Sequence, residues 1–221
     1  LTVIGAAHPG KSFWGWLFVC LKALVLLIWK NNNYPEVLIL EMGVDRPGDM
    51  KYLLGIVKPR IGVITKIGES HLEFFKSVDE ISEEKGMLAR NLTKGGCAVL
   101  NFDDERLRSL TASLAGKKIT YGLNQAADTK AEVISFSGTK NFQPENINSS
   151  GINFNLDYKN ESASVFLLGA ISASAVMASL AGAAVGLVYG MSLADIAAAL
   201  KNFRQPPGRM NLLPGVKNTL I

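Results

Sequence analysis

The sequence predicts an α/β fold: a mostly parallel sheet flanked by helices, with a small antiparallel β addition. Three observations predict it. Short apolar runs rich in β-branched residues (Val37–Leu40, Ile61–Ile64, Cys97–Leu100 and Lys118–Tyr121) alternate with stretches of helical character, the order that builds a parallel sheet. The runs end in polar residues, and the carboxyl ends of the strands line the ligand crevice of an open α/β sheet. After Asn124 the composition shifts to short alternating runs, AEVISF, INFNLDY and ASVFLL, broken by Gly, Asn and Pro. These read as three antiparallel strands between residues 131 and 168, covering one edge of the sheet.

A chain of 221 residues that is 48% apolar can bury a substantial core, as one large domain or two small ones. Its net charge of +4 comes from scattered lysines and arginines, a modest argument for an anionic ligand and none for a nucleic-acid-binding stripe. Cys20 and Cys97 have no CxxC partner, which points to a reduced, cytoplasmic setting. With only His8 and His71, a multi-histidine metal site is excluded within one chain. Leu1–Ile4 already reads as a strand, without an initial Met, and Val216–Ile221 ends on an apolar run. The expectation is a piece of a longer protein, truncated at both ends.

Gly5–Ser12 matches G-x-x-x-x-G-K-[ST] between a strand-like and a helix-like run. In a phosphate loop, backbone N–H groups would cradle phosphates, Lys11 would reach the β/γ-phosphates and Ser12 would bind Mg²⁺. Pro9 removes one donor from such a cradle, so a loop that merely opens a helix is the alternative. Phe13–Trp29 then runs for 17 residues with one charge, Lys22. Three readings stay open: a helix packed on the sheet or on another domain, a helix lying in a membrane interface with Trp14, Trp16 and Trp29 as anchors, and a span at the lower limit of length. Asn31–Pro35 closes this segment.

Asp49–Val57 is helical by pattern. Ser77–Arg90 is a helix with Ser77 as N-cap, Glu80 completing a capping box and acidic residues in its first turn. Lys85 on that helix can face the crevice. The strand Cys97–Leu100 ends in Asn101-Phe102-Asp103-Asp104-Glu105, and the helix Arg106–Leu114 leads to Lys118–Tyr121. Ile171–Leu187 is a helix of small residues, Ser192 caps a last helix to Phe203, and Pro206-Pro207-Gly208-Arg209 is a rigid turn presenting an arginine. Neighbouring strands would deliver Glu41 and His71 to one rim, where a carboxylate and an imidazole can share a divalent cation.

The segments LEMGVDRPGDM, GVITKIGESHLEFF, EEKGMLARNL and AVLNFDDERL, in that order, resemble the central ATP-binding domain of the Mur ligases, a P-loop NTPase-like fold. The likeness runs from Tyr34 to Ile221. E-M-G-x-x-x-P-G-[DE] and the PPGRMNLLPG ending are most similar to the branch that adds a D-alanyl-D-alanine dipeptide to a UDP-muramyl-tripeptide. The resemblance implies an ATP-dependent amide ligase of peptidoglycan precursor synthesis, acting through an acyl phosphate with ATP and Mg²⁺, as a monomer, cytoplasmic or at the inner face of the membrane.

It also implies roles. Glu41 and His71 match Mg²⁺ ligands, Lys85 a lysine that several members carry as a carbamate, Asn101 and Asp103 positions near the nucleotide, and Arg209 an ATP-side arginine before the hinge to a third domain. On this reading 1–33 is an inserted loop and apolar helix, 34–123 the parallel core, 131–168 the β addition and 171–221 the closing helices. The family's TG-x-x-GKT loop is expected upstream of Leu1, because Lys11 to Glu41 is too short for the usual strand and helix between them. Lys66 stands where many members have Asn, and Gly169-Ala170-Ile171-Ser172 replaces the His-Asn pair that contacts adenine. The 221 residues alone are expected to lack ligase activity. A folylpolyglutamate- or cyanophycin-type ligase, and a non-enzymatic membrane-apposed nucleotide-binding protein, are the alternatives.

Overall fold

The structure is a computed structural model that describes residues 7–28, 35–69, 72–137 and 150–204. It divides into two compact units, Leu1–Met42 and Gly43–Ile221. The predicted strand at Leu1–Ile4 lies outside the described residues.

The first unit contains one helix, α1 (Phe13–Ile28), among its described residues. At 1.5 Å per residue, 16 residues reach about 24 Å, short of a hydrocarbon core of about 30 Å. Among the described residues no helix is long and apolar enough to cross a membrane; Trp29, the last residue of the 13–29 segment, lies outside them. Val37–Leu40, expected as a buried strand, is irregular and exposed, with Ile39 88% accessible. A β-branched run favours extended backbone, but it becomes a strand only where a neighbour completes its ladder, and this run belongs to no ladder of the sheet.

The second unit is built on a six-stranded sheet, β1 (Ile61–Ile64), β2 (Cys97–Asn101), β3 (Lys117–Gly122), β4 (Thr129–Ser137), β5 (Gly151–Tyr158) and β6 (Glu161–Leu168), in that spatial order. β1 to β4 pair in parallel, and β4, β5 and β6 pair antiparallel. This is the predicted architecture. The contact between β3 and β4 is short, Tyr121↔Thr129 and Gly122↔Lys130, so β4 begins where β3 ends. The antiparallel meander therefore continues past the carboxyl rim of the parallel strands.

The helices are α2 (Asp49–Ile56), α3 (Val78–Arg90), α4 (Glu105–Ser113), α5 (Ala173–Val188) and α6 (Leu193–Leu200). β2 is buried along its whole length because both its faces are covered. Val99 joins the core formed with α5 and α6, while Leu100 takes the alternate face, with α4 packed on β2 through Leu107 and Leu110. α5 lies across β2, β3 and β4, and buried Ala175, Ala183 and Ala184 let its backbone come close.

The caps follow local sequence. Ser192 Oγ accepts from the Asp195 N–H, and Ser77 Oγ accepts from the Glu80 N–H at 3.2 Å. The expected box at Ser77 is displaced by one residue: the Glu80 carboxylate accepts from the N–H of Lys76, not of the cap itself.

Candidate functional site

In an α/β unit the strand-end loops are where ligands bind, and here side chains lace those loops together. At the end of β1, the carbonyl of Thr65 accepts from Asn101 Nδ2 at 2.8 Å, and the N–H of Ile67 donates to Asp104 Oδ2 at 2.8 Å. Asn101 Oδ1 also accepts from the Asp103 N–H. The carboxylate of Asp103 turns to β3, accepting from the N–H groups of Leu123 and Asn124 at 2.8 and 2.9 Å. Gly122 permits this approach, since a Cβ there would lie 2.5 Å from Asp103 Oδ1. Asp104 Oδ1 caps α4 through the N–H groups of Arg106 and Leu107. Three strand ends thus form one hydrogen-bonded rim.

Lys85 reaches this rim. Its Nζ donates to the carbonyl of Lys66, just beyond β1, at 3.4 Å. The neighbouring Glu84 is buried, and its Oε1 accepts from the N–H groups of Gly48 and Met50 at 3.0 and 2.8 Å. Gly48 stands at the N-cap of α2 with φ of 96° and no side chain to cap with, so a carboxylate from α3 caps α2 in its place. Asp49 closes the same turn on itself. Its carboxyl is held below the usual carboxylate range by the N–H of Arg46 and then of Asp45. The Arg46 guanidinium covers the ring of Phe74 at 4.7 Å. The 43–50 turn is therefore pinned to α3 and to the turn that follows β1.

Burial pushes the Tyr121 hydroxyl well above its ordinary range, with Asp103 adding to the effect, and burial also raises the Cys97 thiol against a small opposing influence of Lys117. A surface cleft of about 470 Å³ lies at the amino ends of β2 and β3 beside Arg90 and Lys117, away from the rim.

The Gly-Lys-Ser loop has its donors engaged internally. The N–H of Gly10 donates to His8 Nδ1, that of Ser12 to the Pro9 carbonyl, and that of Gly15 to Ser12 Oγ at 3.1 Å, an N-cap arrangement for α1. A phosphate cradle needs such N–H groups pointing outward. Glu41 is exposed on irregular chain in the first unit. His71 and Arg209 lie outside the described residues. Among the described residues no three acidic, histidine or cysteine side chains gather into a set that could hold a metal ion.

Of the expected residues, the structure brings Asn101, Asp103 and Lys85 to one rim. Sequence reading missed Glu84 and the bridging role of Asp104. Asp104 carries a signal, an Asp just before a helix, whereas Glu84 carries none.

A parallel sheet with a laced carboxyl rim and an antiparallel extension defines an α/β domain of the open-sheet class. The chain belongs to the Mur ligase family: the sequence model of the Mur ligase middle domain matches residues 24–183. A UDP-N-acetylmuramoyl-tripeptide–D-alanyl-D-alanine ligase of Rickettsia prowazekii is 33% identical over 101 residues, 45% of this chain and 22% of that protein. A UDP-N-acetylmuramate–L-alanine ligase of Dictyoglomus turgidum is 29% identical, across 99% of this chain and 47% of its own length. Among solved structures, MurF of Acinetobacter baumannii superposes with a TM-score of 0.70 at 23% identity, over 89% of this chain and 40% of that one. MurF of Thermotoga maritima in complex with ADP gives 0.68 at 23%, over 93% and 43%. The chain thus spans less than half the length of each of these proteins.

Proposed function

We propose that this chain is the ATP-binding middle part of an acid–amino-acid ligase that joins D-alanyl-D-alanine to a UDP-N-acetylmuramoyl-tripeptide during synthesis of a peptidoglycan precursor, as a monomer in the cytoplasm. The observation that carries this reading is the family match across residues 24–183. The relative from Rickettsia prowazekii bears the name of this reaction, and the fold is shared with a MurF that holds ADP. The relatives named for L-alanine and 2,6-diaminopimelate differ from it in both the acid and the amine that their names give.

In the proposed reaction a carboxylate oxygen of the muramyl peptide attacks the γ-phosphorus of ATP, giving an acyl phosphate and ADP. The dipeptide amine attacks the acyl carbon, loses a proton, and expels inorganic phosphate as the amide forms. Such chemistry asks the protein chiefly to position charged groups and offset developing negative charge. Lys85 serves at the rim, as a cation or as its carbamate. Asn101 and Asp103, whose side chains are committed to neighbouring backbone, act on the nucleotide by holding the loops that meet it. Mg²⁺ neutralises phosphate charge when bound, and Glu41 with His71 is the pair proposed for it. Arg209 is proposed on the ATP side. Ser12 is assigned to capping α1, and Lys11 is left without a phosphate role.

The test is phosphate release by the full-length protein that carries this chain, given ATP and three acid–amine pairs: UDP-N-acetylmuramate with L-alanine, UDP-N-acetylmuramoyl-L-alanyl-D-glutamate with 2,6-diaminopimelate, and UDP-N-acetylmuramoyl-tripeptide with D-alanyl-D-alanine. Turnover that requires both the tripeptide and D-alanyl-D-alanine is the expected result. Turnover with L-alanine or diaminopimelate instead, or ATP cleavage indifferent to the muramyl peptide, overturns the assignment.

A further inference from the structure

α1 reverses the usual layout of a helix on a protein surface. Phe13, Trp14, Leu17, Phe18, Leu21 and Ile28 are all exposed, Trp14 to 75%. At 3.6 residues per turn they fall on a continuous arc of roughly 150°, and no charged residue of the helix falls within it. The one charge, Lys22, lies just beyond the edge of the arc, about 40° from Phe18, and buried Val19 lies on the opposite side. A surface helix ordinarily turns its apolar stripe inward and its charges to water. An exposed apolar patch of this extent marks a binding surface.

Three further observations select the occupant. Residues 1–35 contain no Asp or Glu but three lysines, Lys11, Lys22 and Lys30, so the segment complements an anionic surface. All three tryptophans of the chain, Trp14, Trp16 and Trp29, stand near the ends of this apolar stretch, and indoles favour the boundary between lipid and water. Trp16 has its ring exposed while its indole N–H is satisfied by the Gly10 carbonyl at 3.1 Å. Among the described residues no helix is long and apolar enough to cross a membrane, while the 16 residues of α1 are enough to lie in one leaflet.

We propose that α1 is an in-plane membrane anchor: its Trp14–Leu17–Leu21 face enters the acyl boundary of an anionic leaflet while the side that carries buried Val19 faces away from the acyl chains. The anchor is independent of the ligase assignment. Vesicle binding without ligase activity counts against that assignment alone, and ligase activity without vesicle binding counts against the anchor alone.

Intrinsic tryptophan emission reports on this segment only, since every tryptophan lies within it. Adding vesicles of phosphatidylglycerol mixed with phosphatidylcholine to the 221-residue chain is expected to shift emission to the blue and to carry the protein into the pellet. Pure phosphatidylcholine or high salt should weaken binding by about fivefold or more. Leu17→Glu with Leu21→Glu should abolish binding with unchanged circular dichroism, because both positions are exposed. On the unaltered protein, lipids brominated along the acyl chain should quench the emission, a readout that needs no variant. The proposal is overturned by an unshifted emission with the anionic vesicles, by binding that survives the double substitution, or by absence of quenching. A concentration-dependent dimer lost in the double variant, with no vesicle binding, would instead assign the face to a second copy and also overturn it.

Discussion

Replacing Glu84 by Ala removes one buried oxygen that two backbone N–H groups share. Glu84 is 6% exposed, and its Oε1 lies 3.0 Å from the Gly48 nitrogen and 2.8 Å from that of Met50. A hydrogen bond to a charged group contributes about 1.5–3 kcal/mol, and loss of a helix cap about 1 kcal/mol. The two overlap here, because the same N–H groups are counted in both. The expected cost of Glu84→Ala is therefore about 2–3 kcal/mol, including the cavity and the two donors left in a site that water enters poorly. For a chain of this size that is a fall in Tm of about 4–12 °C. Glu84→Gln keeps a neutral acceptor oxygen and should cost about half as much. Urea unfolding followed by circular dichroism gives the energies, and amide exchange at Gly48 and Met50 reports the cap directly. An Ala variant within about 0.5 kcal/mol of the parent, or unchanged protection of those two amides, would refute the idea that α3 caps α2.

Further outcomes follow from the rim. Asp103→Asn places an amide where the N–H groups of Leu123 and Asn124 need an acceptor, and should cost about 1 kcal/mol with faster exchange at both amides; unaltered exchange would show that the β2 and β3 loops hold without it. Lys85→Met in the full-length protein should lower kcat by about a hundredfold or more at unchanged Tm, since Lys85 makes one long, exposed contact; phosphate release measures it, and near-normal kcat would remove Lys85 from the reaction. Cys97 and Tyr121 both have pKa values raised by burial, so the folded chain keeps their protons while the unfolded chain releases them. Stability is therefore intact below the ordinary values of 9.0 and 10.0 and falls as pH rises beyond each of them. Denaturation midpoints between neutral and strongly alkaline pH test this, and Tyr121→Phe should flatten the upper part of the decline.

What was legible in the residues is what local physics sets. β-branched runs punctuated by polar ends marked β1, β2 and β3 to within a residue or two, because period and composition report burial over four to six positions. Ser77 and Ser192 were readable as caps because the donors they satisfy lie three residues on. Alternating segments after Asn124 announced β4, β5 and β6, since an antiparallel meander needs only short connections. Family membership was also carried by ordered motifs within the stretch 34–105, inside the region the middle-domain model matches.

Tertiary structure decided the rest. Val37–Leu40 has strand composition but no ladder among the described residues, because a strand is a relation between two segments and propensity describes only one. Glu84 reads as one acid in an EEK run, yet it caps a helix 36 residues earlier, a pairing that no local window contains. Asp103 reads as a polar strand end, and only the close approach at Gly122 reveals that both its oxygens are held by backbone. The segment 13–28 is helical by composition alone, but which of its faces is buried and which is exposed is settled by packing. Helices, caps and strand runs are short-range and were written in the sequence. Partners across the rim, and the side of α1 left open, exist only once distant segments have been brought together.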